Sequence, residues 1–321
     1  MTVPEFTVRT SIVVVTYNSA EDIRDCVEAM RATDDAEIVV VDNASPDGSQ
    51  ELLVELQREG LIDTLILSPE NLGFAKGVNA GIRASKGRDV LLLNPDASLG
   101  VESLTALRTF AESRSDVGIV APVVDSGPTV DVMSAGEQPT LWPMFTHYAG
   151  LSRVFADNPR FRGRHLFRSR HAGQEHVVGW SSGCCLYIPR RTIDRVGLLS
   201  ERWFMYGEDI EYCHRVSKAG LKVVVTPLAH AVHAVGASVN SAPGTISTMW
   251  AENTYDYYVT EFRPGPIRKF FWRLVFSGGL LSRSVVFRLK ARRDRSSKNI
   301  LLARATRFEA FSAAVWRAKP R

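Results

Sequence analysis

Several short stretches of this 321-residue chain place acidic or imidazole groups where they could act on a ligand. Asp42 ends the apolar run Glu37-Ile38-Val39-Val40-Val41, and Asp96 closes Asn94-Pro95-Asp96. Glu208 and Asp209 follow Phe204-Met205-Tyr206-Gly207, and His233 precedes Ala234-Val235-Gly236-Ala237-Ser238. A carboxylate at Asp42 can accept a hydrogen bond from the N3–H of uracil or thymine, which cytosine lacks, without telling the two apart. Asp96 suits a divalent metal, Mg²⁺ or Mn²⁺, of the kind that neutralises a departing diphosphate. His233 offers that cation a second ligand, with His230 as a nearby competitor. One carboxylate of the Glu208–Asp209 pair can act as general base toward a hydroxyl. Each group also has a bland reading. Asn-Pro-Asp makes a good turn, and acids at a helix start complement its dipole.

The segment Asn71-Leu72-Gly73-Phe74-Ala75-Lys76-Gly77-Val78-Asn79-Ala80-Gly81 opens a helix with small residues. Glycines there permit close approach of backbone to a ligand, and Lys76 can meet phosphate charge. The P-loop pattern and G-x-G-x-x-G after a strand are both missing, which argues against a dinucleotide-binding oxidoreductase.

These groups need a scaffold, and the first third of the chain supplies its pattern. Ser11–Thr16, Glu37–Asp42, Leu65–Leu67 and Asp89–Leu93 read as short buried strands. Amphipathic segments lie between them, through Ile23, Val27 and Met30, through Leu52, Leu53 and Leu56, and from Phe74 to Ser85. Ser45-Pro46 makes a helix start. This alternation predicts an α/β fold with a doubly wound, mostly parallel sheet. Tyr17-Asn18, Asp42-Asn43 and Asn94-Pro95-Asp96 then fall at carboxyl ends of strands, where such sheets bind ligands. Later, 207–219 reads as a helix and Lys222–Val225 as a strand.

Taken together, the motifs resemble the family-2 inverting glycosyltransferases of the GT-A fold. The resemblance rests on Val14-Val15-Thr16-Tyr17-Asn18, Val40-Val41-Asp42-Asn43-Ala44-Ser45 with Asp47-Gly48-Ser49, Asn71-Leu72-Gly73-Phe74 and Leu93-Asn94-Pro95-Asp96-Ala97. It continues through Gly179-Trp180-Ser181-Ser182-Gly183, Phe204–Asp209 and His233–Ser238. Asn-Pro-Asp and Gly-Trp-x-Ser-Gly look like the branch that adds rhamnose to polyprenyl-diphospho-N-acetylglucosamine in actinobacterial cell-wall synthesis. The resemblance implies that Thr16, Tyr17, Asn18, Asp42, Asn71, Gly73, Lys76, Asn79, Asn94 and Asp96 bind the nucleotide sugar. It implies Trp180, Ser182 and Gly183 for the acceptor, Asp96 and His233 for the metal, and Asp209 as catalytic base with Glu208 beside it. The implied reaction moves L-rhamnose from dTDP-β-L-rhamnose in one in-line step with inversion. A UDP-sugar donor (galactofuranose, glucose or N-acetylglucosamine) stays open, as do a nucleotidyltransferase and an inactive, membrane-associated scaffold. Asn94 departs from the family's Asp-x-Asp, which bears on the metal's identity and tightness.

Charge divides the chain. Residues 264–321 hold fifteen Lys or Arg against Asp294 and Glu309, a net of +13, while the chain as a whole carries +4. An acidic catalytic domain over 1–263 (nucleotide-binding half 10–125, acceptor half 126–263) and a basic amphipathic helical extension over 264–321 are expected. The extension is read as helices broken at Gly278-Gly279. One face, Ile267, Phe270, Phe271, Leu274 and Val275, suits an anionic membrane surface. Plain packing, a homodimer and nucleic acid are the alternatives, and nucleic acid is not expected as a partner. Arg153, Arg160, Arg162, Arg164, Arg168 and Arg170 form a second basic cluster, read as a grip on the acceptor's diphosphate or as a solvated loop. The four cysteines lack metal-ligand spacing, and the N-terminus lacks a signal-peptide pattern. A reduced, cytoplasmic protein, held peripherally at the inner face of the plasma membrane, is the expectation.

Overall fold

The computed structural model describes residues 8–33, 35–127, 130–233, 247–294 and 296–321. The first part of the chain alternates strand and helix: β1 (Val8–Thr16), α1 (Ile23–Arg31), β2 (Ala36–Asp42), α2 (Ser49–Arg58), β3 (Thr64–Leu67), α3 (Phe74–Ala84) and β4 (Gly87–Leu93). β5 (Ala97–Leu99), α4 (Val101–Ser113), β6 (Val117–Asp125) and β7 (Ala135–Gly136) follow. After α5 (Leu141–Tyr148), α6 (Leu151–Val154) and α7 (Arg168–His171) come β8 (His176–Val178), β9 (Trp180–Ser181), β10 (Cys185–Pro189), α8 (Arg190–Val196), α9 (Glu208–Lys218) and β11 (Lys222–His233). Three helices close the chain: α10 (Met249–Phe262), α11 (Pro266–Arg293) and α12 (Lys298–Arg317).

Among the described residues the main sheet has nine strands in the order β3-β2-β1-β4-β10-β6-β11-β5, with β8 paired to β11. β3, β2, β1 and β4 are mutually parallel, because each successive pair is joined by a helical crossover. β10 enters antiparallel to β4, so the sheet as a whole is mixed. Ile12, Val14, Ile38, Val40, Leu91 and Leu93 lie in one apolar core with Val27 and Met30 of α1 and Leu53 and Leu56 of α2. Burial on both faces is why these strands read as unbroken apolar runs.

The chain divides into two compact units, and the division is not at the expected residue 263. The first comprises Met1–Gly136 and Leu166–Asn240, and holds the sheet. The second comprises Glu137–His165 and Ser241–Arg321. There α10, α11 and α12 pack with α5 around Met144, Tyr255, Tyr258, Trp272, Phe276, Leu280, Phe311 and Val315. Tyr258 stacks on Trp272 with ring centroids 4.9 Å apart. α11 runs unbroken through Gly278-Gly279, against the break expected there. A Cβ on Gly279 would fall 2.1 Å from the Tyr148 ring, so that glycine serves helix–helix contact and not termination. The Arg153–Arg170 cluster is not one patch. Arg164 is 1% exposed with its guanidinium 4.7 Å from the Trp250 ring centre, whereas Arg168 belongs to the first unit and pairs with Asp125.

Candidate active site

Parallel pairing sets Thr16 opposite Asp42 and Val14 opposite Leu93, so β1, β2 and β4 end side by side. Thr16, Tyr17 and Asn94, at or just beyond those ends, line one cleft. Asp42 does not line it. The residue is fully buried, and its carboxylate accepts from Thr16 Oγ1 (3.0 Å), Ser45 N (3.0 Å), Ser45 Oγ (2.5 Å) and Gln50 Nε2 (2.8 Å). The face expected to meet a nucleobase is thus taken up by the chain's own donors, which tie β1, β2 and α2 together behind Thr16. Asn18 is also outside the lining; its N–H donates to Ser45 Oγ at 3.0 Å from a left-handed backbone, φ 55°.

The second group comes from strand pairing between distant segments. β5 and β11 run antiparallel with Ala97 opposite His233. Asp96, just before β5, therefore meets the last residue of β11, and His233 Nε2 lies 3.1 Å from Asp96 Oδ1. Asn94 Nδ2 is 3.5 Å from the same nitrogen, and all three residues line the cleft. Burial first, and the Asp96 charge next, raise the carboxyl of Asp22 above its ordinary value. Among the described residues no cluster of three or more His, Cys, Asp or Glu forms here. A divalent cation bound to Asp96 and His233 would complete its shell with water and diphosphate oxygens, as Mg²⁺ does at sites with few protein ligands. The donor set fits such a cation. Residues 234–238, expected to continue this motif, lie outside the described residues.

The same cleft also holds the acidic pair. Tyr206 (φ 67°) and Gly207 (φ 121°) turn the chain into α9, whose first two residues, Glu208 and Asp209, both line the cleft. Asp209 Oδ2 accepts from Gly183 N at 3.2 Å, and Oδ1 from Ile210 N at 2.8 Å. Gly183 reaches this point because β10 pairs with β4 and Cys184 O accepts from Asn94 N at 2.9 Å. The two acids differ. Glu208 is 4% exposed, and its Oε2 has no hydrogen-bond partner among the described residues. Burial, then the neighbouring Asp209 charge, push its carboxyl well above the ordinary carboxylate range, so Glu208 keeps its proton more readily than a free acid.

Ser182 and Gly183 line the cleft, whereas Trp180 is buried in β9 opposite Gly136 of β7. Asn71 and Gly73 line the cleft, but Lys76 and Asn79 do not. Lys76 is exposed. Asn79 is buried, donating to Leu199 O (2.9 Å) and accepting from Leu199 N (3.0 Å), which fastens the loop before α9. Gly77 and Gly81 face β1, where added Cβ atoms would meet Val15 and Val13 at 2.7 and 2.4 Å. Their small size thus lets α3 sit close on the sheet. Gly73 (φ 85°) has Phe204 O only 2.2 Å from where its Cβ would be, and Phe74 N donates to that carbonyl at 2.9 Å. The Asn71–Phe74 motif is a clasp that holds the Phe204–Asp209 turn. Asn43, read in the sequence at a strand end but given no role there, lines the cleft, and its Nδ2 donates to Gly73 O at 3.1 Å.

A mixed sheet with an Asp–His pair and an acidic pair lining one cleft beyond its strand ends is the arrangement of a GT-A glycosyltransferase. Residues 11–172 match glycosyl transferase family 2, and the chain belongs to that family. It is 29% identical over 307 residues to the N-acetylglucosaminyl-diphospho-decaprenol L-rhamnosyltransferase of Mycobacterium tuberculosis, covering 89% of this chain and 95% of that one. It is 30% identical over 230 residues to the low-salt glycan biosynthesis hexosyltransferase Agl10 of Haloferax volcanii, covering 70% and 66%. Among solved structures it resembles the mannosyltransferase of Pyrobaculum calidifontis in complex with GDP-Man and Mn²⁺, with TM-score 0.56 and 18% identity over 98% of this chain and 87% of that one.

Proposed function

We propose that the protein transfers L-rhamnose from dTDP-β-L-rhamnose to a polyprenyl-diphosphate-linked N-acetylglucosamine, with inversion. The observation that carries the mechanism is the presence, in one cleft, of the Asp96–His233 pair (3.1 Å) and the Asp209 carboxylate. The choice of sugar and acceptor is supported by the near full-length similarity to the mycobacterial rhamnosyltransferase. Thr16 and Tyr17 form the nucleotide end, with Asp42 acting through Thr16 as a positioning residue. Asp96 and His233 would hold the divalent cation, which when bound would supply charge stabilisation to the departing diphosphate.

The acceptor hydroxyl enters beside Ser182 and Gly183. Its oxygen forms a bond to the anomeric carbon as the bond from that carbon to the diphosphate oxygen breaks, and the electron pair leaves with dTDP. Asp209 takes the hydroxyl proton. Its position is set by the N–H groups of Gly183 and Ile210 (3.2 and 2.8 Å), which occupy part of each carboxylate oxygen and aim the rest. Glu208, whose carboxyl is raised above the ordinary range by burial and then by the Asp209 charge, lies beside the base in the cleft. Attack from the face opposite the leaving group converts the β-linked donor into an α-rhamnoside. The reaction takes place where lipid-linked substrates reside, at the cytoplasmic face of the membrane.

The test is Asp209→Asn. Transfer should fall by about 10³-fold or more, while dTDP protects the folded protein as it does the parent. Undiminished transfer, or loss of dTDP binding, would remove Asp209 from the role of base.

A further inference from the structure

α11 has two apolar faces. Trp272, Phe276 and Leu280 on one are 0% exposed and bury themselves in the helical unit. On the other, Ile267, Phe271, Leu274, Leu281, Val285 and Leu289 recur every three or four residues around Gly278, each between 45% and 74% exposed. This outer stripe runs for roughly 33 Å at the α-helical rise. Among the described residues, nothing comes within 4 Å of a Cβ built at Gly278, so the stripe is open along its middle. Arg268, at one end, and Arg292 and Arg293, at the other, are exposed.

We propose that this outer stripe of α11 lies in the headgroup region of an anionic bilayer. The charge balance selects the occupant. Residues 264–321 carry a net of +13, and Arg268, Arg292 and Arg293 at the ends of the stripe would set two copies of it repelling each other, whereas anionic lipid attracts both these cations and the stripe between them.

α11 is also long and apolar enough to cross a membrane, with mean hydropathy 1.2 in its best window. Its inner contacts favour lying flat. Trp272 Nε1 donates to Pro139 O at 2.7 Å, Arg273 to Trp316 O and Ala318 O at 3.2 and 2.7 Å, and Arg283 to His147 Nε2 at 2.8 Å. Crossing would strip all of these and place two guanidinium groups in hydrocarbon. The proposal extends the lipid-linked acceptor reading by naming the surface that brings enzyme and substrate together.

The experiment is flotation of the full chain with vesicles of phosphatidylcholine alone or mixed with phosphatidylglycerol. Two variants accompany the parent: Leu274→Glu with Leu281→Glu, and Arg268, Arg292 and Arg293 each to Gln. The parent should float with the anionic vesicles and release them as salt rises. The stripe variant should bind about tenfold more weakly or worse, and the charge variant should lose its preference for anionic lipid. Circular dichroism and the thermal midpoint should hold for both, since the positions are exposed. Parent that stays off anionic vesicles would overturn the proposal. So would variants that bind as well as the parent, or a dimer that dissociates on changing the stripe while vesicle binding persists. Transfer to a short-chain, water-soluble acceptor is expected to be unchanged in both variants, so failure of docking and failure of the chemistry are read separately.

Discussion

Glu208 and Asp209 are neighbours in sequence and yet differ in the one property that matters for their chemistry. Asp209 is held by two backbone donors, whereas Glu208 is buried with an oxygen left unsatisfied. That difference has a pH signature. The folded chain keeps the Glu208 proton over a range where the unfolded chain, near its ordinary value of 4.5, has lost it. Stability contributed by that proton is therefore present below about 4.5 and is lost as pH rises through the raised folded value. Glu208→Gln should melt higher than the parent at neutral and alkaline pH, with the gap closing toward acid. Parallel midpoint curves across pH would contradict this. Asp42 calls for a different substitution. Asp42→Asn should destabilise by about 2 kcal/mol in denaturant unfolding, because an amide cannot accept from all four donors. An unchanged midpoint would show the network to be dispensable. The sequence singled out Asp96, His233 and the acidic pair by residue type, and all four line one cleft. It could not show that Asp42 spends its hydrogen bonds internally, because Thr16 and Gln50 become its partners only once β1, β2 and α2 have assembled.

At the scale of elements, periodicity located strands and helices well. The helix expected over Phe74–Ser85 spans Phe74–Ala84, and that over 207–219 spans Glu208–Lys218. Two errors share a physical cause. β11 was legible only at Lys222–Val225 but runs to His233, through an irregular register between Thr226 and His230 that interrupts its alternation. Gly278-Gly279 signals a break by propensity alone, yet contact with Tyr148 makes Gly279 favourable inside a helix. Tertiary contact overrode the local signal in both. The adjacent glycines supply a paired test. Gly279→Ala should destabilise the protein by about 1–3 kcal/mol through overpacking, while Gly278→Ala should stabilise it by up to about 1 kcal/mol through helix propensity. Denaturant midpoints decide, and equal effects would contradict the packing argument. Gly73→Ala should be worse than either, since it places Cβ against the Phe204 carbonyl in a left-handed backbone.

For the whole molecule, the charge split was visible in the sequence, but the division into units was not. Helix α10 reads as part of the catalytic body by its position and belongs instead with α11 and α12, because its aromatic residues Tyr255 and Tyr258 pack there. The segment Glu137–His165 joins that same unit across a long stretch of chain, a pairing that no local pattern announces. On the proposed function, transfer would depend on a divalent cation held by Asp96 and His233. Chelation should abolish transfer and weaken protection by dTDP-rhamnose. His233→Ala should raise the metal concentration needed for half-maximal protection, a readout that does not depend on turnover. Protection that is indifferent to chelator would contradict the role given to Asp96 and His233.

The most direct test of the central claim is the anomeric configuration of the product, read by NMR after incubation with Mg²⁺, dTDP-β-L-rhamnose and a polyprenyl-diphospho-N-acetylglucosamine analogue. A metal-dependent α-rhamnoside is the predicted result. A β-rhamnoside would contradict the single-displacement mechanism, and transfer only from a UDP-sugar would contradict the donor.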